Sequence, residues 1–275
     1  MENNHLYLDL LKRTLSRYVC PEHYQPIGYY HGKNAWVAKA YRPLRSLLGS
    51  LNLELVWKRP VDLKARYEGR DWPVEAETMI GIKRLDNIEH CIRQVVADSI
   101  PGDLIETGVW RGGAAIFMKG VLDVLNDTSR NVWLADSFAW LPKPDPNCKM
   151  DVTDETQFWA YNHLAASVEQ VKENFRRYGL LDDRVRFLVG WFKDTLPKAP
   201  IERLSLLRLD GDMYQSTMDA LTALYPKLSP GGYCIIDDYG CIDACKLAVD
   251  HYRKDHDVTT PLVVIDGSGV YWQKQ

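Results

Sequence analysis

The sequence predicts an α/β protein whose core is a doubly wound, mostly parallel sheet of seven strands with an antiparallel C-terminal hairpin. From residue 103 onward, short apolar runs alternate with longer runs of helical periodicity, which is typical of a parallel sheet with helical crossovers. The last two strands are separated by only Gly267-Ser268, which is too short for a crossover, so they must pair antiparallel. The predicted strands are residues 103–109, 132–137, 185–190, 204–210, 232–238, 262–266 and 269–273. The predicted helices in this part are residues 112–125, 165–178, 214–228 and 243–256.

The N-terminal part of the chain lacks this alternation, and we divide the chain into an N-terminal extension, residues 1–75, and a main domain, residues 76–275. The extension is rich in tyrosine and is expected to be helical or irregular. It is a candidate lid or homo-oligomer contact, and simple covering of the sheet is the alternative. A helix is predicted from about Gly81 to Asp98, where apolar residues recur every three or four positions.

Composition excludes several classes of protein. The chain has 275 residues, of which 46% are hydrophobic and 26% charged, with a net charge of −3, so no basic surface for nucleic acid is expected. No apolar run approaches the ~18 residues of a membrane span, and the polar start, Met-Glu-Asn-Asn-His, lacks a signal-peptide core. The six cysteines form no C-x-x-C pair. We therefore expect reduced thiols in a cytoplasmic protein without membrane or nucleic-acid partners.

A Gly-rich turn lies between the first predicted strand of the main domain and the helix that follows it. Its sequence is Glu106-Thr-Gly-Val-Trp-Arg-Gly-Gly113, and glycines at such a turn let the backbone approach a nucleotide-like ligand. Gly108 and Gly112 are four residues apart, so the G-x-G-x-x-G dinucleotide pattern is not met. An acidic residue beside a glycine suits a neutral or cationic nucleoside better, such as S-adenosylmethionine. The alternative is a tight turn without a ligand.

A second acidic residue ends the next predicted strand, Val132-Trp-Leu-Ala-Asp-Ser137. Asp136 at this position can accept hydrogen bonds from both ribose hydroxyls of a nucleoside. A helix or turn cap is the alternative for this carboxylate. Its place beside Glu106 at the neighbouring strand end favours the ligand hypothesis.

Two further strands end in pairs of aspartates. Asp210 and Asp212 follow one strand, and Asp237 and Asp238 follow the next. Because one helix joins these strands, they are expected to be neighbours about 4.8 Å apart, and so many like charges require a cation or protons. Oxygen ligands favour Mg²⁺, with Ca²⁺ or Mn²⁺ as substitutes, and the lack of His and Cys argues against zinc. The alternative is that Asp212 and Asp238 cap the following helices.

The stretch 138–154 is long and rich in proline. Loops of this length in compact domains are often functional. We interpret it as an insertion that covers a substrate, or at minimum as a mobile loop.

Distinctive motifs are spread along the chain: Thr78-Met-Ile-Gly81, Glu106–Gly113, Trp133-Leu-Ala-Asp-Ser-Phe138, Gly190-Trp-Phe-Lys-Asp-Thr-Leu-Pro197, Leu209-Asp-Gly-Asp-Met-Tyr-Gln-Ser-Thr-Met-Asp-Ala-Leu221 and Ile236-Asp-Asp-Tyr-Gly240. Taken together, these motifs resemble the macrocin O-methyltransferase family from about Asp71 to the C-terminus, whereas the first ~70 residues carry no comparable motif. The predicted sheet with its terminal hairpin is also similar to the layout of class I methyltransferases.

The resemblance implies an enzyme that methylates sugar hydroxyls of antibiotics and related natural products with S-adenosyl-L-methionine and Mg²⁺. It implies Asp212 as the general base. The metal ligands that it implies are Asp210, Asp237 and Asp238. The cofactor-binding residues that it implies are Met79, Glu106, Thr107, Gly108, Asp136, Ser137, Trp191 and Phe192. The expected partner is a glycosylated small-molecule acceptor.

The sequence leaves three alternatives open. A catechol-type O-methyltransferase also uses acidic metal ligands, and the long loop and the N-terminal extension favour a bulkier acceptor. An NAD-dependent oxidoreductase is disfavoured by the missing G-x-G-x-x-G. A non-catalytic module on a methyltransferase fold is disfavoured because every acidic position is present.

Overall fold

The computed structural model describes residues 2–275 except residues 21, 23, 27–34, 72, 74, 140, 145, 147 and 153–164. Nine strands run in chain order through these described residues: β1 Tyr24–Pro26, β2 Val56–Lys58, β3 Asp103–Thr107, β4 Val132–Asp136, β5 Val185–Val189, β6 Leu204–Leu209, β7 Leu228–Ile236, β8 Val263–Val264 and β9 Val270–Gln273. The α-helices are α1 Glu2–Leu15, α2 Ala35–Ser50, α3 Leu63–Tyr67, α4 Ile82–Ala97, α5 Gly113–Val124, α6 Lys149–Val152, α7 Val168–Arg177, α8 Phe192–Thr195, α9 Tyr214–Leu224 and α10 Asp243–Asp255.

The predicted sheet is confirmed. Seven strands lie in the order β5-β4-β3-β6-β7-β9-β8. The first five of these strands pair in parallel, and β9 pairs antiparallel with both β7 and β8. The predicted strand 262–266 is reduced to two exposed residues at the sheet edge, whereas the strand predicted to start at residue 232 begins at Leu228.

Apolar side chains cover both faces of the sheet, which is why its central strands are continuous hydrophobic runs. One core cluster packs the sheet against α4 and α5, and the other packs it against α9 and α10. The N-terminal helix joins the first cluster through Leu8, Leu11 and Leu15. The start of the extension therefore packs onto the main domain, while the division at residue 75 and a lid or oligomer role stay predictions.

The topology creates a crevice at the carboxyl edge of the sheet. Chain connections run to opposite sides at β3, which lies between β4 and β6, and such a switch point is where open α/β sheets bind ligands. The loops after β3, β4, β6 and β7 therefore meet at one place. No helix within the described ranges is long and apolar enough to cross a bilayer.

Candidate active site

A cavity of about 1190 Å³ lies at this carboxyl edge. With one exception, every residue that the sequence predicts for the site lines this cavity. The exception is Thr107, whose side chain is buried and whose Oγ1 has no hydrogen-bond partner among the described residues. The predicted loop spans residues 138–154. Within it, residues 140, 145, 147, 153 and 154 lie outside the described residues.

The Gly-rich turn passes directly against the end of β6. Gly108 has φ of +81°, and a Cβ placed on it would lie 1.6 Å from the carbonyl oxygen of Asp210. The Asp210 amide in turn donates to the Thr107 carbonyl at 2.8 Å. Glycine is therefore required at this position because of both its backbone conformation and the close approach of the neighbouring chain.

Glu106 lines the cavity with 2% of its surface exposed. Arg208 Nη1 donates to its Oε1 at 2.6 Å, and Oε2 has no partner in the part of the chain that the structure describes. Burial raises the pKa of Glu106 to about 8, although the Arg208 charge opposes this rise. A cationic ligand group at Oε2 would satisfy this oxygen and favour the ionised carboxylate.

Asp136 holds the backbone turns that follow β3 and β4. Its Oδ2 accepts from the Val109 amide at 2.6 Å and its Oδ1 from the Phe138 amide at 2.7 Å. The turn-cap alternative is thus realised for this residue. Oδ1 also accepts from Ser137 Oγ at 3.4 Å, and contact of this carboxylate with ribose hydroxyls stays a prediction.

The three predicted metal ligands lie together. One carboxylate oxygen from each of Asp210, Asp237 and Asp238 lies within 4.8 Å of the others, because Leu209 and Ile236, which precede two of them, are register partners in adjacent parallel strands. Burial and the nearby aspartates raise the pKa of Asp238 well above its ordinary value. Its Oδ2 is a buried atom without a hydrogen-bond partner among the described residues.

This donor set fits a hard divalent cation. Three carboxylates converge, and an orphaned buried oxygen points to a missing cation or proton donor. The helix-cap alternatives are not realised, because the N-cap positions of α9 and α10 are Met213 and Ile242. Asp212 lies in the turn between β6 and α9 with φ of +56°.

Two buried arginines are functional candidates that the sequence reasoning missed. Arg208 donates to Glu106, to Asp210 at 3.0 Å and to Asp237. Arg84, on α4, pairs with Asp237 and with Asp266, the latter at 2.9 Å. The signal for Arg208 was a lone charge inside the apolar strand Leu204–Leu209, which is costly unless the charge is paired. Arg84 carries no such signal because it lies on an amphipathic helix.

Comparisons with known proteins identify the family of this chain. The family described as macrocin-O-methyltransferase (TylF) matches residues 4–274, so the match includes the N-terminal extension. The mycinamicin III 3''-O-methyltransferase of Micromonospora griseorubida is 47% identical over 98% of this chain and 96% of its own. The 8-demethyl-8-(2,3-dimethoxy-alpha-L-rhamnosyl)-tetracenomycin-C 4'-O-methyltransferase of Streptomyces olivaceus is 55% identical over 77% of this chain and 81% of its own.

Solved structures extend the comparison to the fold. The O-methyltransferase NovP is 44% identical, with a TM-score of 0.83 over 99% of both chains. The calicheamicin methyltransferase CalS11 is 20% identical, with a TM-score of 0.56 over 70% of this chain and 79% of its own, and shares the fold alone. Methyl transfer is thereby favoured over the dinucleotide-dependent oxidoreductase, and this chain belongs to the macrocin O-methyltransferase family.

Proposed function

We propose that this protein is a Mg²⁺-dependent O-methyltransferase that transfers a methyl group from S-adenosylmethionine to a sugar hydroxyl of a glycosylated natural product. The observation that carries the proposal is the convergence of Asp210, Asp237 and Asp238 in a cavity that also contains the Gly-rich turn. The acceptor class is supported by relatives named for the 3'' position of mycinamicin III and the 4' position of a rhamnosyl tetracenomycin.

The donor would lie on the β3 and β4 side of the crevice. Glu106, with its unpartnered oxygen, is the proposed partner of the donor's ammonium group, and Asp136 is the proposed acceptor for the ribose hydroxyls. Gly108 leaves room for the backbone to approach the ligand. The remaining proposed cofactor contacts are Met79, Thr107, Ser137, Trp191 and Phe192. Bound S-adenosylmethionine supplies a methyl group that is activated by its sulfonium.

The acceptor would lie on the β6 and β7 side. Asp210, Asp237 and Asp238 would hold Mg²⁺, which when bound lowers the pKa of a coordinated hydroxyl. The arginines do not prevent this, because a carboxylate oxygen that accepts one hydrogen bond keeps a second lone pair.

Asp212 is the proposed general base. It lies in the turn two residues beyond Asp210, a proposed metal ligand, and lines the cavity. It would remove the hydroxyl proton as the acceptor oxygen forms its bond to the methyl carbon and the carbon–sulfur bond breaks. The positive charge that leaves the sulfonium then reappears as the proton on Asp212, so the chemical step leaves the net charge of the cavity unchanged.

The test is an activity assay with S-adenosylmethionine and two kinds of acceptor, a panel of glycosylated metabolites and, separately, catechol. Mass spectrometry then detects the gain of one methyl group. Transfer to a glycosylated acceptor that EDTA abolishes and Mg²⁺ restores is expected. Transfer to catechol alone would overturn the acceptor class, and transfer that is insensitive to EDTA would overturn the metal requirement.

Two substitutions separate the metal ligands from the base. Asp212→Asn should lower turnover about 10²–10⁴-fold without rescue by excess Mg²⁺. Asp237→Asn should raise the Mg²⁺ concentration for half-maximal activity, since an amide binds hard cations more weakly. Asp243→Asn is the matched control, because this exposed residue lies in the first turn of α10. Full rescue of Asp212→Asn by Mg²⁺ would make Asp212 a ligand instead of the base.

A further inference from the structure

We propose that Asp151 is a positioning residue that holds the turn bearing Asp212 in its catalytic conformation. The inference rests on the proposed function, because it acts through the proposed base. Asp151 lies on α6, inside the Pro-rich stretch between β4 and α7, and is 63 residues distant in sequence from the helix that it contacts.

The contact is a helix cap supplied from a distant segment. Asp151 Oδ1 accepts from the amide of Tyr214 at 2.6 Å, and Oδ2 accepts from the amide of Gln215 at 3.1 Å. Both amides belong to the first turn of α9, where backbone N–H groups have no partner within the helix. Asp151 is only 2% exposed, and its negative charge at a helix N-terminus is favourable.

The N-cap residue of α9 does not supply this cap. That residue is Met213, which makes no side-chain capping bond. The turn that precedes it contains Asp212 with φ of +56°, a left-handed conformation that is strained in a non-glycine residue and persists only where the surroundings enforce it. The two bonds from Asp151 therefore hold the backbone directly beside this strained residue.

The two ends of the turn are anchored by different elements. At the β6 end, the Asp210 amide donates to the Thr107 carbonyl at 2.8 Å, so the sheet holds this end. At the α9 end, the two bonds from Asp151 hold the backbone. Loss of the second anchor would loosen the turn that carries Asp212, whereas Glu106 on β3 and Asp136 on β4 would keep their positions on the proposed donor side.

The experiment compares Asp151→Ala and Asp151→Asn with the wild-type chain. We expect kcat to fall about 10²-fold in Asp151→Ala, the effect of a displacement of about 1 Å at a reacting group. The dissociation constant of S-adenosylhomocysteine should stay within about twofold of wild type. Asp151→Asn keeps one acceptor oxygen and should show an intermediate loss, which also supplies a test if the alanine variant does not fold.

Two readouts distinguish positioning from general destabilisation. Amide hydrogen exchange at Tyr214 and Gln215 should accelerate in Asp151→Ala. In an Asp212→Asn background, Asp151→Ala should cause little further loss of turnover, because both substitutions disable the same step. The control is Asp62→Ala, which removes a capping carboxylate from α3 and should leave kcat unchanged.

Three results would overturn the inference. Unchanged kcat in Asp151→Ala, or full additivity with Asp212→Asn, would overturn the inference. A parallel loss of cofactor affinity and turnover in Asp151→Ala would also overturn it. If the wild-type chain methylates no glycosylated acceptor, the proposed function fails, whereas hydrogen exchange still decides whether Asp151 holds the turn.

Discussion

Substitution of Gly108 by alanine tests whether the Gly-rich turn and the acidic edge of the sheet are in contact. The added Cβ would lie 1.6 Å from the Asp210 carbonyl oxygen, whereas ordinary contacts begin at 3.4 Å. One backbone must therefore retreat by about 1.8 Å to relieve the contact. Because Asp210 is a proposed metal ligand, this shift should disturb both halves of the site.

Gly179 provides a matched control for the backbone strain. It has φ of +69°, similar to the +81° of Gly108, but no heavy atom lies within 4 Å of the position that a Cβ would take there. Alanine at either position costs about 1–2 kcal/mol for the left-handed conformation. Gly108→Ala should cost about 1–3 kcal/mol more, the usual penalty for forcing an atom into packed space.

Urea unfolding gives the free energy of unfolding of both variants, and calorimetry gives their affinity for S-adenosylhomocysteine. We expect Gly179→Ala to bind with wild-type affinity. Gly108→Ala should be the less stable variant and should lose turnover about 10²-fold or more, because a displacement of about 1 Å at reacting groups has this effect. Equal stability of the two variants, with turnover retained in Gly108→Ala, would refute the close approach of the two segments.

Three further predictions concern charged groups. Arg208→Met should lower the free energy of unfolding by about 3–5 kcal/mol, because it leaves buried carboxylates without their counterion. The control Arg176→Met, at an exposed position, should change it by less than about 0.5 kcal/mol, and similar urea midpoints for the two variants would contradict the prediction. Asp136→Ala should weaken binding of S-adenosylhomocysteine by about 1.5–3 kcal/mol, and a loss of stability with unchanged affinity in calorimetry would assign Asp136 to the turns alone. Burial raises the pKa of Glu106 to about 8, so below this pH the carboxyl must lose a proton when the ammonium group of S-adenosylhomocysteine binds. The affinity for S-adenosylhomocysteine should therefore rise with pH up to about 8 and then level off. A flat calorimetric profile between pH 6 and 9 would contradict this in the wild-type chain and is expected for Glu106→Gln.

The sheet and the acidic cluster could be predicted because both depend on local patterns and on chain order. Strand-length apolar runs separated by single helices place Asp210 and Asp237 at neighbouring strand ends, whatever the details of packing. The register then brings the carboxylates within reach of one another. Helix ends were predicted less accurately, as for α9, which ends at Leu224 instead of residue 228.

The partners of these carboxylates could not be predicted in the same way. Arg84 reaches Asp237 from a helix 153 residues away in sequence, and Asp151 caps α9 from a loop. Neither contact follows from periodicity or spacing, because each depends on how a helix or a loop is placed over the sheet. For Asp136 the sequence left a ligand contact and a turn cap open, and which two backbone amides it accepts from depends on turn geometry that the sequence does not specify.

Arg208 changes how the two halves of the site relate to each other. One guanidinium contacts Glu106 on the proposed donor side and both Asp210 and Asp237 on the proposed metal side. A lysine could not make these contacts, because its single ammonium lacks the planar fork that serves several carboxylates at once. The donor and metal sides therefore share one counterion. A ligand that draws a carboxylate away from Arg208 on one side leaves the positive charge of Arg208 to the carboxylates on the other side.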